Sequence, residues 1–334
     1  MSWPLAEPLP YVGGLTLPNR VALAPMAGVC NSAYRQTARA HGAGLLVSEM
    51  VSSYGLHYEN KKTLDFLRIH PSEHPLAVQI FGDDPHVMAE AARKVEAAGA
   101  DIVDINMGCP ARKIYKTGAG ASLLRHPDLA GAVAAACVAA VSVPVTVKIR
   151  AGFDDQTRTA VDVARRLESV GVAALAVHPR LASQEYRGEA DHRVTAEVVH
   201  AVGLPVWASG DVDSPAKARR VLDGTGAVGV MVARASLGDP WIFESLTSGI
   251  PRRKPTPPEL ATEALAIGDR LIGEYGPERA GRAMRKHYAW LFKGRTTVPN
   301  EWRVDLLRAE PSAAREMLAG LAEGTTAEPL ALAA

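Results

Sequence analysis

The chain has 334 residues, of which 47% are hydrophobic and 22% are charged, and its formal net charge is +1. This length and composition predict one large globular domain, or one domain with a small appendage. A membrane-spanning protein and a disulfide framework are excluded, because no apolar run approaches about 18 residues and only three cysteines occur.

The N-terminus has no basic segment followed by an apolar run, so no secretory signal is predicted and we expect a cytoplasmic protein without a membrane partner. Nor is any protein partner indicated. The net charge neither supports nor excludes a nucleic-acid partner. Residues 11–20, with Gly13-Gly14 near their centre, predict a small hairpin that could plug the bottom of a barrel.

Eight short runs rich in Val, Ile, Leu and Ala then alternate with segments of helical spacing, such as 85–98 and 157–169. Runs that are apolar throughout are typical of parallel strands covered on both faces. Eight βα units predict an α/β fold of the (β/α)8 TIM-barrel class. A doubly wound open sheet is the alternative, which the lack of Gly-x-Gly-x-x-Gly after the first strand disfavours. The predicted strands are 21–24, 45–48, 77–81, 102–106, 145–149, 174–178, 206–209 and 228–232.

The sequence divides into four regions. Residues 1–250 predict the barrel with its hairpin, and 251–258 form a proline-rich linker. Residues 259–323 predict a helical domain, and 324–334 predict a disordered tail of mostly small residues.

The fourth predicted strand ends in Asn106-Met107-Gly108-Cys109-Pro110. Function in TIM barrels lies at the carboxyl ends of the strands, so this turn delivers an amide and a thiol to the expected site. A free cysteine can also act as a small hydrophobe, but its setting in a Gly/Pro turn favours a chemical role for Cys109.

Polar side chains end most of the other strands, and they suit an electron-rich heterocycle. Lys148 on an apolar strand is costly unless it has a partner, and it could hold negative charge that develops on a reduced ring. His178 and Gln79 fit the same role. The structural alternatives are that His178 is a hydrogen-bonded core histidine and that Gln79 only caps a neighbouring loop. Gly210 and Arg234 lie in the loops where barrels commonly hold phosphate. FMN fits best, because it combines an aromatic ring for the first set of residues with a single phosphate for the second. No metal site is evident, because the histidines lack ligand spacing.

Seven motifs together resemble the tRNA-dihydrouridine synthases, most closely their bacterial B-type branch. The resemblance extends over residues 21–294, and its most specific part is the Cys109 turn with its Lys and Gly-rich continuation. The motifs are Ala24-Pro25-Met26-Ala27-Gly28-Val29, Ser48-Glu49-Met50, Val78-Gln79-Ile80-Phe81-Gly82, Asn106 to Pro110 with Lys113 and Gly118-Ala119-Gly120-Ala121, Val147-Lys148-Ile149-Arg150, Gln184-Glu185-Tyr186, and Gly238-Asp239-Pro240-Trp241.

The resemblance implies an FMN enzyme that reduces the C5=C6 bond of uracil in tRNA and uses NADPH to reload the flavin. Cys109 would protonate C5 as a general acid, for which we expect a thiol pKa near neutral. Asn106, Arg150 and Arg180 would contact the uracil. The implied FMN-binding residues are Pro25, Met26, Ala27, Gln79, Lys148, His178, Ser209, Gly210, Asp211, Ala233 and Arg234.

Three motifs depart from the pattern of the family, at four positions. Ser209-Gly210-Asp211 replaces Asn-Gly-Asp, Ala233-Arg234-Ala235 replaces Gly-Arg-Gly, and His178-Pro179-Arg180 replaces His-Gly-Arg. We expect the Cβ of Ala233 to restrict φ and to crowd a phosphate, so that FMN binds, but more weakly.

A basic segment in the helical region predicts an RNA-binding surface. Residues 279–295 contain six Lys or Arg and no Asp or Glu, and His287, Tyr288 and Trp290 lie between them. Such a face suits phosphate contact, and a solvated helix face is the alternative. The predicted tRNA-binding residues are Lys113, Arg279, Arg282, Arg285, Lys286, Lys293 and Arg295.

Two other functions remain open. One is an FMN-dependent oxidoreductase of a small pyrimidine, similar to dihydroorotate dehydrogenase, which has no need of a basic helical appendage. The other is a non-catalytic RNA-binding barrel, given the altered phosphate loops.

Overall fold

The computed structural model describes residues 3–294 and 298–324. Arg295 and, apart from Gly324, the predicted tail at 324–334 lie outside the described residues. In the part that is described, no helix is both long and apolar enough to cross a membrane.

The chain opens with an antiparallel hairpin of β1 (Leu9–Val12) and β2 (Leu15–Leu17). Parallel strands then form the sheet order β3-β11-β10-β9-β8-β7-β6-β4, and β5 continues β4 along β6. A bridge between Ala22 and Leu45 joins the first and last strands. The TIM-barrel prediction is therefore confirmed and the open sheet is excluded. The strands are β3 (Val21–Leu23), β4 (Leu46–Val47), β5 (Val51–Ser52), β6 (Leu76–Phe81), β7 (Ile102–Met107), β8 (Val145–Gly152), β9 (Ala174–Leu181), β10 (Val206–Ser209) and β11 (Gly229–Val232).

Helices surround the barrel, and side-chain caps fix the start of several of them. Asn31, Asp84 and Ser214 each accept a hydrogen bond from a first-turn backbone amide, which satisfies one of the unpaired amides of a helix N-terminus. The helices of this part are α1 (Ser32–Ala40), α2 (Ser53–His57), α3 (Lys61–Leu64), α4 (Pro85–Ala97), α5 (Arg112–Tyr115), α6 (Pro127–Ala140), α7 (Ala160–Ser169), α8 (His192–Ala201), α9 (Pro215–Thr225) and α10 (Ile242–Ser248).

The hairpin covers the bottom of the barrel. Leu9, Val12 and Leu17 belong to the same apolar cluster as the small side chains of the barrel interior. Gly13, with φ of +59°, lies against Pro144 and Ala173, which precede β8 and β9. This packing leaves the opposite end, at the carboxyl ends of the strands, as the open end.

Four more helices complete the described chain: α11 (Pro257–Tyr275), α12 (Pro277–Phe292), α13 (Asn300–Arg308) and α14 (Pro311–Ala322). The predicted linker is two residues too long, because Thr256 and Glu259 form a capping box and α11 begins at Pro257. Prolines are favoured in a first helical turn, so their number there does not mark a linker.

The C-terminal helices have their own core and are seated on the barrel. Their apolar cluster includes Ala33 of α1 together with Leu260 and Trp302. Arg252 of the linker pairs with the buried carboxylate of Asp239 at 2.5 Å. Gly238 lies so close to α12 that a Cβ there would be 2.1 Å from the carbonyl oxygen of Trp290.

The contact at Gly238 predicts a specific stability effect. Gly238 and Gly226 both have left-handed φ, at +67° and +71°, but a Cβ on Gly226 would make only an ordinary contact of 3.4 Å with Val199. We expect Gly226→Ala to lower the free energy of unfolding by about 1 kcal/mol through backbone strain. Gly238→Ala adds a clash with backbone and should cost about 3 kcal/mol or more. Denaturant unfolding of both variants measures this, and equal losses would contradict the close approach.

Candidate active site

A cavity of about 810 Å³ opens at the carboxyl ends of the barrel strands. All eleven residues predicted to bind the cofactor line it, as do Cys109, Asn106, Arg150 and Lys113. Arg180 is the one member of the predicted barrel site that does not line it. Residues that line the cavity but were not predicted include Met50, Glu185, Tyr186, Asp213 and Met231.

The turn that carries Cys109 is held by the side chain of Asn106. The Oδ1 atom of Asn106 accepts hydrogen bonds from the backbone amides of Gly108, at 3.1 Å, and Cys109, at 2.9 Å. The carbonyl of Cys109 accepts from the amide of Ala121 at 3.1 Å. A Cβ on Gly120 would lie 3.3 Å from the Cβ of Cys109, so the Gly-rich continuation packs directly on this turn.

A chain of side-chain hydrogen bonds lies below the turn. The buried carboxylate of Asp104 accepts from Gln79 Nε2 and from Thr146 Oγ1, both at 2.6 Å. Gln79 Oε1 in turn accepts from Asn106 Nδ2 at 2.8 Å. Sequence analysis missed Asp104, whose signal was a lone acid in an otherwise apolar strand.

Donors and acceptors are fixed along this series of hydrogen bonds, because an ionised carboxylate only accepts hydrogen bonds. Burial raises the pKa of Asp104 to about 6, although the bonds from Thr146 and Gln79 oppose the rise. Asp104 is therefore mostly ionised at neutral pH. It orients the amide of Gln79, which orients the amide of Asn106, so the Asn106 oxygen faces the Cys109 turn.

The thiol of Cys109 is half-buried, and burial raises its pKa above the ordinary value of 9.0. The backbone amide of Ala111 and the charge of Arg150 oppose this shift without reversing it. The expectation of a pKa near neutral is therefore wrong, because desolvation outweighs the nearby positive charges. At neutral pH the group is a thiol that carries its proton.

Lys148 lies beside Asn106 in the register of β7 and β8 and lines the cavity. Burial lowers the pKa of Lys148 to about 8, and the neighbouring charge of Arg150 lowers it further, while Asp104 opposes the shift. Lys148 is thus charged at neutral pH and loses that charge as the pH rises through about 8.

Asp211 joins three segments at the edge of the cavity. Its carboxylate accepts from Arg180 at 2.7 and 3.0 Å, from the Ala190 amide at 2.8 Å and from Arg234 at 3.3 Å. Burial alone would raise the pKa of Asp211, but these partners hold it below its ordinary range. Arg180 is only 2% exposed and also donates to the carbonyls of Gly188 and Arg187, which places it behind the lining.

His178 is held as a neutral imidazole. Burial lowers its pKa, and four surrounding cations, those of Lys148, Arg150, Arg180 and Arg234, lower it further. Its Nε2 lies 3.3 Å from Arg180 Nη1. Because arginine can only donate, Nε2 is the acceptor and the ring proton sits on Nδ1. A neutral imidazole therefore lines the cavity at this position.

Arg150 ties the Cys109 turn to the loop after β9. It donates to the carbonyls of Gly108 at 2.8 Å, Leu181 at 3.1 Å and Glu185 at 2.8 Å. The next residue of that loop, Tyr186, is 56% exposed, and the centre of its ring lies 5.6 Å from the Arg150 guanidinium carbon and 4.9 Å from that of Arg234. Tyr186 belongs to the Gln184-Glu185-Tyr186 motif. An aromatic residue in the loop that follows a barrel strand is the signal that could have identified it.

Two residues of the phosphate loops hold backbone conformations that are unusual for residues with a Cβ. Ala233 has φ of −115° and ψ of −104°, outside the main allowed regions, and Asp211 has φ of +54°. The expected restriction of the backbone by the Cβ of Ala233 stays a prediction. Gly210 has φ of +109°, and a Cβ there would lie 2.9 Å from the ring of His178. Glycine at 210 is therefore required by both backbone and space.

The residues predicted to bind tRNA do not all share one exposed face. Arg279, Arg282 and Arg285 on α12 are exposed, as are Lys113 and Lys293, whereas Arg295 lies outside the described residues. Lys286 is half-buried and donates to the carbonyl of Gly28 at 2.7 Å. His287 and Tyr288 were expected among the basic residues, but they are buried in the helical core.

No group of three or more His, Cys, Asp or Glu side chains within residues 3–294 and 298–324 is arranged to hold a metal ion. The donor set of the cavity is instead one of cations, amides and a neutral imidazole, beside apolar Pro25, Met26 and Met231. This combination matches a ligand with an aromatic body, several carbonyls and an anionic end.

Solved structures share the architecture of the barrel. A variant of NCR from Zymomonas mobilis superposes with a TM-score of 0.56 at 16% identity, covering 75% of this chain and 92% of that one. A mutant morphinone reductase in complex with tetrahydroNAD gives 0.55 at 15% identity, over 74% and 91%. At these identities the likeness establishes the fold alone.

Sequence comparison reaches further. A model described as "Dihydrouridine synthase (Dus)" matches residues 22–320. The tRNA-dihydrouridine synthase B of Pseudomonas aeruginosa is 41% identical over 310 residues, covering 91% of this chain and 92% of that protein. That of Vibrio vulnificus is 40% identical over 288 residues, covering 84% and 89%. The resemblance expected from the motifs is confirmed, and the chain belongs to the dihydrouridine synthase family.

Proposed function

We propose that this protein reduces specific uridines of tRNA to 5,6-dihydrouridine, with FMN as its resident cofactor and NADPH as the reductant. The observation that carries the proposal is the locked Cys109 turn, which faces the same cavity as Lys148, Gln79 and Arg234. Reducing a conjugated C=C bond requires a hydride donor and a proton donor; the thiol meets the second requirement, and the anion-stabilising groups would hold the flavin that meets the first.

The cavity fits FMN in size and chemistry. Its volume of about 810 Å³ lies within the usual range for small-molecule sites. Lys148 and Gln79 would hold the polar edge of the ring, and Gly210 with Arg234 would hold the phosphate. When bound, FMN supplies the hydride for C6 of the uracil after reduction by NADPH.

Cys109 serves as the proton donor to C5. Its raised pKa keeps the proton on sulfur at neutral pH, which suits a general acid better than a nucleophile. The hydrogen bonds from the backbone amides of Gly108 and Cys109 to Asn106 fix the turn that carries the sulfur. After the transfer the thiolate recovers a proton from water, so the group is restored for the next turnover.

Asn106 and Arg150 define where the uracil lies. The amide nitrogen of Asn106 donates to Gln79 at 2.8 Å and to Met50 Sδ at 3.8 Å. A thioether sulfur is a weak acceptor, so a uracil carbonyl would take its place at the second hydrogen. Arg150 contributes by fixing the Cys109 turn against the loop of Tyr186. We assign Arg180 a supporting role through Asp211 rather than contact with the base, since its donors are engaged by protein oxygens.

The exposed arginines of α12 support tRNA as the carrier of the uridine. The helix α12 carries exposed Arg279, Arg282 and Arg285. Lys286 of the same helix contacts the carbonyl of Gly28, in the loop at the edge of the cavity. Cations on such a surface attract a phosphate backbone in a salt-dependent way.

The direct test is to load the purified protein with FMN and to incubate it with NADPH and tRNA lacking dihydrouridine. Appearance of dihydrouridine by mass spectrometry is the expected result. Flavin reduction with no change in tRNA would favour the small-pyrimidine oxidoreductase, and failure to bind FMN would favour the non-catalytic RNA-binding barrel.

Replacing the proton donor tests its role. We expect Cys109→Ala to lower the rate of dihydrouridine formation by at least about 100-fold, the usual contribution of a general acid, while NADPH still reduces the bound flavin. Cys137→Ala is the matched control, since Cys137 is buried in α6 and away from the cavity. Loss of flavin reduction in Cys109→Ala, or retention of tRNA reduction, would contradict the assignment.

The lowered pKa of Lys148 predicts a pH dependence of FMN binding. An amine with a pKa of about 8 is charged below that pH and neutral above it. Affinity for the anionic cofactor should therefore fall between about pH 7 and pH 9, by up to about tenfold from loss of this charge. Fluorescence titration of the cofactor-free protein measures it. Lys148→Met should bind FMN weakly at both pH values, and a variant that keeps the wild-type pH profile would refute the assignment.

The RNA surface is tested by a double substitution. We expect Arg279→Ala with Arg285→Ala to raise the KM for tRNA about tenfold at low salt, to reduce the salt dependence, and to leave kcat nearly unchanged. Arg93→Ala with Arg165→Ala removes two exposed arginines from α4 and α7 and serves as the control. An equal effect of both pairs would mean that only total charge matters.

A further inference from the structure

Lys286 behaves differently from the other basic residues of its helix. Arg282 and Arg285 are exposed, whereas Lys286 reaches out of α12 to the barrel and donates to the carbonyl of Gly28 at 2.7 Å. A charge-assisted hydrogen bond of this kind is stronger than a neutral one. Its long side chain is thus committed to the protein rather than offered to solvent.

Gly28 is held from two sides. Its amide donates to Glu49 Oε2 at 2.5 Å, and its carbonyl accepts from Lys286. Glu49 is only 9% exposed and follows β4 closely. Gly28 has φ of +75° and a Cβ there would meet nothing within 4 Å. No side chain or backbone therefore packs against Gly28 where a Cβ would lie. The hydrogen bonds to Glu49 and Lys286 restrain it instead.

The segment around Gly28 forms one wall of the cavity. Pro25, Met26, Ala27 and Val29 all line it, and so does Met50, which follows Glu49. Within the turn, Met26 accepts from the amides of Val29 and Cys30. A displacement of Gly28 therefore moves the wall against which the cofactor lies.

The charges of the two partners are complementary. Burial raises the pKa of Glu49 and lowers that of Lys286, and in each case the charge of the other opposes the shift. Removing the charge of Lys286 leaves the buried Glu49 with less compensation, namely the Gly28 amide and the charge of Arg35.

We propose that Lys286 is a positioning residue that clamps Gly28 together with Glu49, so that the C-terminal helices hold the cofactor wall at 25–29 in place. The helical region then has a second task besides RNA contact: it helps to retain FMN. This inference rests on the proposed function for the identity of the cofactor, but not for the clamp itself.

The test compares Lys286→Met with Arg282→Met, which lies one helical turn away on the same helix and is exposed. For Lys286→Met we expect the Kd for FMN to rise about tenfold, and the tRNA affinity at saturating FMN to stay unchanged. For Arg282→Met we expect the opposite pattern. Lys286→Arg keeps a donor and should restore FMN affinity to within about twofold of the wild type.

Hydrogen exchange of the cofactor-free proteins separates the clamp from the identity of the cofactor. In Lys286→Met, peptides covering residues 24–30 should exchange faster, and peptides covering 209–213 should not change. Unaltered exchange at 24–30, or loss of tRNA binding with an unchanged FMN Kd, would overturn the proposal. If the wild type binds no FMN, the proposed function fails, while faster exchange in Lys286→Met would still establish the clamp.

Discussion

The ionised carboxylate of Asp104 is the constraint on which the site depends. It can only accept hydrogen bonds, so Gln79 must present its nitrogen to it and its oxygen to Asn106. Asn106 must then present its own oxygen to the amides of the Cys109 turn. One buried charge, which does not itself line the cavity, thus determines how the amides of Gln79 and Asn106 are oriented.

Around this fixed core the site gathers positive charge close to the thiol of Cys109. Lys148, Arg150 and Arg234 line the cavity, yet Asp211 neutralises part of this charge and Arg150 is bonded to carbonyls. His178 stays neutral in their field. The result is a cavity that attracts an anionic ligand while Cys109, desolvated at one side, retains its proton.

The barrel and its lining could be predicted because both follow from local pattern. Strands buried on both faces read as apolar runs, and their carboxyl ends are where function lies. The failures have a common physical reason. Whether Arg180 faces a ligand or Asp211, whether Lys286 faces RNA or Gly28, and how far burial shifts the Cys109 thiol all depend on tertiary neighbours. The spacing of Lys286 on α12 indicated its helix, but not what that helix packs against.

Gly238 closely approaches the backbone of Trp290, and Arg252 forms an ion pair with Asp239. Together these contacts fix the position of the C-terminal helices on the barrel. Under the proposed function, the distance between the arginines that grip the RNA and the sulfur of Cys109 is then a constant of the fold. On that proposal, a uridine reaches Cys109 when its distance from the bound part of the RNA matches this fixed distance. Such a fixed distance requires rigid packing between the barrel and the C-terminal helices. The absence of a side chain at Gly238 makes this packing possible.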